Sequence, residues 1–355
     1  MLLKDSRLGM SLKLLLIAIL MFADDLALIC SNKRKLNQLL SIVRKYFKTH
    51  KLKLSEQKSK IISHNGTTGE IIFEGDDELD ELSLDEVISF KYLGIPLNSS
   101  PYSFFKSFNE QVRQRAQSYT YRVLSLVKTG PNRSELAYIL WNQVALPSIL
   151  YGTEIFPLTK ETINELEKCQ SIVGKFISQV PRSSAKVVSN LDAGLRPVWS
   201  LIAERVLMYA LITQEKQSSY WAKIALEENV NLGDSSPYTR NLLQWKERTN
   251  IYGQNKEMIR KYVRKAAMDD VLKMACKFKT TTFAMSIPGA SYSNPWFKPK
   301  PWVSDSGISK IFAQFRSCNA GFGNRAPAGD GRKYKLCPLC IIQGAQALNN
   351  EVNGR

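Results

Sequence analysis

One segment near the start of the chain, residues 14–30 (LLLIAILMFADDLALIC), constrains the fold most strongly, because it places two adjacent carboxylates between two apolar runs. Each run is short and rich in Leu and Ile, which predicts two buried strands. Since Asp is common in tight turns, we expect Asp24 and Asp25 to form the tip of a β-hairpin between these strands.

Adjacent carboxylates at such a tip predict a metal site. Their mutual repulsion disfavours ionisation of both groups unless a cation is close. Mg²⁺ prefers oxygen ligands and usually needs one or two carboxylates together with substrate phosphates, and a pair of such ions stabilises phosphoryl transfer. The alternative is an ordinary exposed turn in which Asp24 and Asp25 are solvated.

The motif Phe22-Ala23-Asp24-Asp25, with apolar runs on both sides, resembles the catalytic hairpin of reverse transcriptases in its aromatic-Ala-Asp-Asp form. The flanking sequence is similar to that of non-LTR (LINE-type) retrotransposon enzymes. The resemblance implies an RNA-directed DNA polymerase that uses Mg²⁺, an RNA template and a DNA primer. The resemblance also implies that Asp24 is a metal ligand, that Asp25 is its partner, and that Phe22 and Ala23 support the hairpin.

The resemblance also predicts a missing part. The family's reaction needs a further Asp on a strand well upstream, and the chain begins 23 residues before Asp24. We therefore expect a fragment that is inactive alone, unless an upstream reading frame or a partner chain supplies that Asp and the fingers. Two alternatives are a catalytically dead nucleic-acid-binding protein derived from such an element, and a helical scaffold with no nucleic-acid role.

The charge balance favours a polyanionic partner. The chain has 49 Lys and Arg against 32 Asp and Glu, a net charge of +17, and nine of the acids lie in residues 70–86. The remainder therefore carries about +26. Such an excess indicates nucleic acid before a membrane surface, and the alternative is a merely soluble basic protein.

The apolar residues before the hairpin and the distribution of cysteines predict where in the cell the protein is located. We expect no signal peptide, because the apolar residues 14–23 run into two Asp and are too short to span a bilayer. The six cysteines are mostly isolated, which is typical of intracellular proteins. The prediction is a nuclear or cytoplasmic protein that is not secreted and has no membrane partner.

The segment after the hairpin completes a partial palm. Residues 32–50 have helical spacing, residues 51–63 alternate as a strand, and residues 70–86 are expected to be an exposed acidic insertion beside a short strand, GEIIF. In the resembled family a Lys follows the palm helix and steadies the developing charge on pyrophosphate. Lys58 or Lys60 stands at that place.

A second hairpin is predicted at residues 90–97, FKYLGIPL, where Gly interrupts an apolar stretch. The resemblance identifies it as the primer grip, which positions the primer 3′ end near the acidic hairpin. Its residues are Phe90, Tyr92, Leu93 and Gly94. The alternative is an ordinary hairpin.

From residue 101 the pattern is helical, with helices expected at residues 105–127, 134–151 and 162–180. The second of these places Leu136, Ile139, Leu140 and Val144 on one side. Residues 145–159 (ALPSILYGTEIFPLT) and 191–212 resemble the thumb region of LINE-type enzymes. Helical thumbs hold duplex through backbone contacts, and a helical bundle with a basic surface is a compatible alternative.

The predicted fold class is α+β, a partial reverse-transcriptase palm with a catalytic β-hairpin followed by a mostly α-helical thumb and extension. The boundaries are residues 1–99 for the palm, 100–217 for the thumb and connector, 218–307 for a basic helical extension and linker, and 308–355 for a C-terminal segment. Cys337 and Cys340 form half of a zinc site, but residues 341–355 contain neither His nor Cys. Zinc binding by this truncated knuckle is therefore not expected.

Overall fold

The structure, a computed structural model, describes residues 10–12, 15–64, 69–73, 80–129, 132–218, 220–251 and 255–276. In these residues the strands come before the helical region, and one long helix lies among the strands. The predicted α+β class is confirmed. The chain forms two compact units. The first contains Met1–Gln111, Ile155–Pro157 and Tyr209–Leu243, and the second contains Val112–Glu154, Leu158–Met208 and Gln244–Arg355. The four predicted domain boundaries stay a prediction.

The apolar run before the acidic pair is divided between two sheets. Strand β1 (Met10–Leu12) pairs antiparallel with β2 (Leu15–Ile17), whereas β3 (Ile19–Phe22) pairs antiparallel with β4 (Asp25–Leu28). The prediction of a single buried strand here is wrong. Met21 is 67% exposed and Phe22 is 65% exposed, because the sheet of β3 and β4 has two strands in the described residues and its turn end faces solvent.

Helix α1 (Lys33–Thr49) begins and ends close to where its sequence predicts. Asn32 caps it, since its side-chain oxygen accepts a hydrogen bond from the Lys35 N–H at 2.9 Å. The helix buries Leu39, Leu40 and Val43, which recur at helical spacing. This apolar stripe gives the first unit one side of its core.

The other side of that core is a three-stranded sheet. Strand β7 (Leu82–Glu86) lies between β5 (Lys60–Ile61), which is parallel to it, and β6 (Gly69–Phe73), which is antiparallel. Leu40, Phe73, Leu82 and Leu84 are buried together.

This sheet corrects two expectations. Only two residues of the segment 51–63 are in a strand, and the acidic residues 70–86 include a core strand. Leu82 and Leu84 alternate with Ser83 and Asp85, so one face of β7 is apolar although the segment as a whole is acidic. The strand GEIIF is confirmed as β6.

Strands β8 (Ser89–Tyr92) and β9 (Ile95–Asn98) form the predicted second hairpin, and α2 (Pro101–Leu126) follows it. In the first unit, α2 contributes Phe104 and Phe108 to an aromatic cluster around Phe156. The ring centroids of Phe104 and Phe108 lie 4.8 and 5.3 Å from that of Phe156. These contacts anchor the start of α2.

The second unit contains α3 (Arg133–Leu140), a π-helix (Trp141–Ala145), α4 (Leu146–Ile149) and α5 (Lys160–Ile177). Ala137, Trp141 and Ala145 are buried, whereas Leu136 and Val144 are exposed. The predicted apolar face of residues 134–151 is therefore not the packed face. Small residues beside one large ring let the helices approach closely, and the Trp141 indole N–H donates to the buried Gln170 Oε1 at 3.4 Å.

The chain continues through α6 (Lys186–Asp192), α7 (Val198–Gln214), α8 (Trp221–Asn231), a 3₁₀ helix (Gly233–Ser235), α9 (Pro237–Thr249) and α10 (Lys256–Cys276). The predicted linker of residues 280–307, the short helix of residues 308–315, Cys337 and Cys340 lie outside the described residues. Among the helices that are described, none has both the length and the apolar character needed to cross a membrane.

Candidate active site

The first hairpin places its two carboxylates differently from the prediction. Phe22 pairs with Asp25, so the two turn residues are Ala23 and Asp24, and Asp25 is the first residue of β4. Ala23 has a φ of 53°, in the left-handed region that residues with a Cβ occupy at a cost of about 1 kcal/mol or more. The turn is therefore one residue earlier than the acidic pair, and its backbone is strained.

The base of this hairpin is attached to the core while its tip is exposed. The Ile29 N–H donates to the Ala18 carbonyl at 2.8 Å, which continues the ladder beyond β4. Leu28 packs against the cluster of Leu40 and Phe73. Asp24 and Asp25 are both exposed. The sheet thus presents two neighbouring carboxylates, one on the turn and one on a strand.

Carboxylate oxygens are the ligands that Mg²⁺ prefers, and exposed carboxylates leave room for the water molecules this ion retains. The donor chemistry of Asp24 and Asp25 therefore fits Mg²⁺. Across the described part of the chain, however, no three His, Cys, Asp or Glu side chains come together as a metal-binding group. The hairpin therefore offers two carboxylates, which are fewer ligands than a complete metal site needs.

The second hairpin lies close to the first. Burial raises the pKa of the Tyr92 hydroxyl, and the nearby charge of Asp25 raises it further. At the turn, Leu93 has a φ of 47° and Gly94 a φ of 80°, which is the left-handed pair required by a two-residue type I′ turn. Gly accepts this conformation readily and Leu does not. The structure thus brings Tyr92 of the predicted primer grip toward the acidic hairpin.

The two lysine candidates differ in their surroundings. Lys60 stands opposite Asp85 in the parallel pairing of β5 with β7, and its Nζ lies 2.5 Å from Asp85 Oδ2. The ammonium of Lys60 is therefore compensated within the sheet. Lys58 is exposed on the preceding turn. Of the two, Lys58 is the better placed to meet an anionic ligand.

A second feature was not anticipated from the sequence, a cleft of about 640 Å³ in the second unit. Arg115 and Arg122 belong to α2, but nothing local in the sequence indicates that Tyr151 lines the same cleft. The lining residues come from α2 and from α4 and the residues just after it. They are Gln114, Arg115, Ser118, Tyr119, Arg122, Pro147, Ser148 and Tyr151.

Comparison with known proteins bears on the first unit. Residues 6–97 match the family model described as "Reverse transcriptase (RNA-dependent DNA polymerase)". This match covers about a quarter of the chain and includes both hairpins. Neither a curated protein nor a solved structure matches the chain. Residues 6–97 are therefore identified as a reverse transcriptase domain, as the motif around Asp24 predicted.

Proposed function

We propose that this chain is part of the RNA-directed DNA polymerase of a non-LTR retrotransposon, and that it binds a DNA primer paired with an RNA template. One observation carries the proposal. The family match spans the two hairpins, and within it the strained turn at Ala23 presents Asp24 and Asp25 near Tyr92. The non-LTR origin is supported by the order of the motifs FADD, FKYLGIPL and LPSILYG.

Each hairpin has a role in this proposal. Asp24 and Asp25 would hold Mg²⁺, which when bound stabilises the charge that develops on the reacting phosphate. Tyr92 and the left-handed turn at Leu93 and Gly94 would hold the primer 3′ end beside those carboxylates. Lys58 would meet the leaving pyrophosphate. The basic helices of the second unit would contact the phosphate backbone of the duplex.

We also propose that the 355-residue chain does not extend a primer alone. Two metal ions in phosphoryl transfer need fixed positions, and a displacement of about 1 Å is costly. Two adjacent exposed carboxylates, one on a turn and one on the strand after it, provide few of the ligands, and the described residues contribute no third acidic group to them. A further carboxylate would come from a partner chain or from a longer reading frame.

The test compares two hybrids of RNA and DNA, one with a recessed DNA 3′ end and one with blunt ends. We expect the chain to bind the recessed hybrid more tightly, about fivefold or more, and Tyr92→Leu to abolish this preference. Lys91→Gln is the matched control, because Lys91 is an exposed neighbour on the same strand. Equal affinity for both hybrids would contradict a primer-binding role.

The same hybrids distinguish a second candidate function, a catalytically dead nucleic-acid-binding protein derived from such an element. The exposure of Asp24 and Asp25 favours this candidate, since the described surroundings do not enclose them. It predicts tight binding without a preference for a recessed end. Template-dependent extension with Mg²⁺ or Mn²⁺, lost in Asp24→Asn, would exclude it and would show that the chain completes its own site.

A further inference from the structure

The cleft of the second unit is lined by one side of α2 and by α4 with the residues just after it. Arg115, Ser118, Tyr119 and Arg122 are spaced three, four and seven residues apart on α2, so they lie on one side of that helix. The opposite wall consists of Pro147, Ser148 and Tyr151. The lining includes two arginines and no acidic residue.

A π-helix before α4 sets the orientation of Pro147 and Ser148 in this second wall. The Leu146 N–H donates to the Trp141 carbonyl, five residues back, and Pro147 has no N–H to donate. One π turn adds a residue to the helix, which rotates all later side chains by about 100° around the axis. Pro147 and Ser148 therefore lie at positions that an unbroken α-helix would not give them, and Tyr151 follows the end of α4. Such insertions are frequent at functional sites.

The aromatic and cationic groups of the cleft are close to one another. The guanidinium carbon of Arg122 lies 5.8 Å from the centroid of the Tyr119 ring. Burial lowers the pKa of the Arg115 guanidinium, and the nearby hydroxyls of Tyr119 and Tyr151 oppose that effect. Tyr151 remains 45% exposed. A ligand in the cleft would therefore meet two cations and an accessible aromatic ring.

We propose that this cleft binds a nucleotide of single-stranded nucleic acid, with its phosphate at Arg115 and Arg122 and its base against Tyr151. Guanidinium groups match phosphate oxygens, and aromatic rings stack on unpaired bases whatever their identity. A duplex cannot make the same contact, because its base faces are covered by neighbouring pairs. The cleft is open to solvent and is not an enclosed cavity, so a strand can enter it.

The inference rests on the proposed function only for the source of the strand, which would be the unpaired part of an RNA template. The strand is distinguished from a free nucleotide by its length. A strand can also contact side chains outside the cleft, whereas a mononucleotide can contact the cleft alone. We therefore expect a ten-nucleotide oligouridylate to bind at least about tenfold more tightly than uridine monophosphate.

The test measures fluorescence anisotropy with labelled oligouridylate and with a blunt hybrid duplex, using the full chain. Tyr151→Leu and Arg122→Gln should each weaken oligouridylate binding about tenfold. Tyr121→Leu and Arg133→Gln are matched controls, since both residues are exposed and outside the cleft, and they should change affinity less than about twofold. Tyr151→Leu should leave duplex affinity within about twofold.

Equal effects of Tyr151→Leu and Tyr121→Leu would overturn the inference, as would equal affinity for the mononucleotide and the oligomer. A crosslink between a 4-thiouridine oligomer and the unaltered protein gives a second measurement that needs no variant. We expect it at Tyr119 or Tyr151, and a crosslink elsewhere contradicts the site. A further outcome is that the chain binds recessed and blunt hybrids equally while Tyr151→Leu still weakens oligouridylate binding. That result would overturn the proposed function and leave the cleft supported.

Discussion

At the scale of single residues, Glu167 is a partly buried acid whose carboxylate lies at the start of a neighbouring helix. It belongs to α5, and its carboxylate accepts a hydrogen bond from the Val198 N–H, at the N-terminus of α7, at 2.5 Å. Burial raises its pKa to about 7, although the N–H groups of Val198 and Trp199 and the charges of Arg248 and Lys186 act in the opposite direction. Desolvation of the carboxylate outweighs these four favourable contacts.

This pKa makes stability depend on pH with a definite sign. The unfolded chain releases the proton near 4.5 and the folded chain holds it to about 7. The folded state therefore binds more protons in this interval, and this residue's contribution to the free energy of unfolding decreases as pH rises from about 5 to about 7. Above that range the contribution is constant.

We predict that Glu167→Gln removes this dependence, because the amide stays neutral and its oxygen can still accept from Val198. The melting temperature of the variant minus that of the unaltered protein should therefore increase by a few degrees as pH rises from about 5 to about 8. Glu165→Gln is the control, since Glu165 is partly exposed and pairs with Lys168 at 2.5 Å. Parallel pH profiles for the Glu167 variant and the unaltered protein would contradict the assignment.

At the scale of elements, the two hairpins of the first unit have different turns. Leu93 and Gly94 both have positive φ angles, whereas in the other turn Ala23 has a positive φ and is followed by Asp24. Ala23 and Leu93 are both residues for which this conformation costs free energy. Strained turns that persist beside one another are typical of sites where geometry is under functional constraint.

Helices α5 and α6 meet at Gly174, where a side chain has no room. A Cβ at this position would lie 2.3 Å from Asn190 Oδ1 and 3.4 Å from Leu195 Cδ1. The Asn190 amide thus occupies the space left by the missing methyl group. Glycine inside a helix usually costs about 0.5–1 kcal/mol relative to alanine, so its presence here reflects packing.

We predict that Gly174→Ala lowers the free energy of unfolding by about 1–3 kcal/mol, because the methyl group displaces Asn190. Denaturant unfolding measures the change. Asn190→Ser in the same chain should restore most of the loss, since it removes the clashing amide. Gly69→Ala is the control, because a Cβ there meets no atom within 4 Å. A stabilised Gly174→Ala protein would show that the helices adjust freely.

At the scale of the whole molecule, the excess positive charge is partly compensated and partly presented to solvent. In the second unit, Arg248 pairs with Asp270 at 2.7 Å, and Glu204 lies 2.8 Å from Arg196. Helix α10 also carries Lys261, Arg264 and Lys265 at exposed positions, three and four residues apart along one side. Such a row follows a phosphate backbone without reading sequence.

We predict that affinity for a hybrid duplex falls steeply with salt, with a slope of log affinity on log salt steeper than about −4, because each phosphate contact contributes about −0.9. Replacing Lys261, Arg264 and Lys265 together by Gln should make the slope shallower by about 2 to 3. Lys168→Gln is the control, since Lys168 already pairs with Glu165. A flat salt response would remove the nucleic-acid interpretation.

The sequence by itself determined those features that depend on residues close together in the chain. The helical spacing of residues 32–50 placed α1, and the Gly within the apolar stretch of residues 90–97 placed a hairpin. The FADD motif indicated the reverse transcriptase domain that the family match identifies at residues 6–97. Caps, turns and periodic apolar residues act over a few positions, so they can be read without knowing the rest of the fold.

Only the tertiary structure decided which groups meet across long separations. It split the apolar run at Ala18 between two sheets, gave Lys60 the partner Asp85, and turned Leu136 toward solvent. It also placed Tyr151 in the same cleft as Arg115, which no local pattern indicates. These outcomes depend on which segments bury and pair with one another across the whole chain. The free energy of each arrangement includes contacts among many segments, so no single segment predicts it.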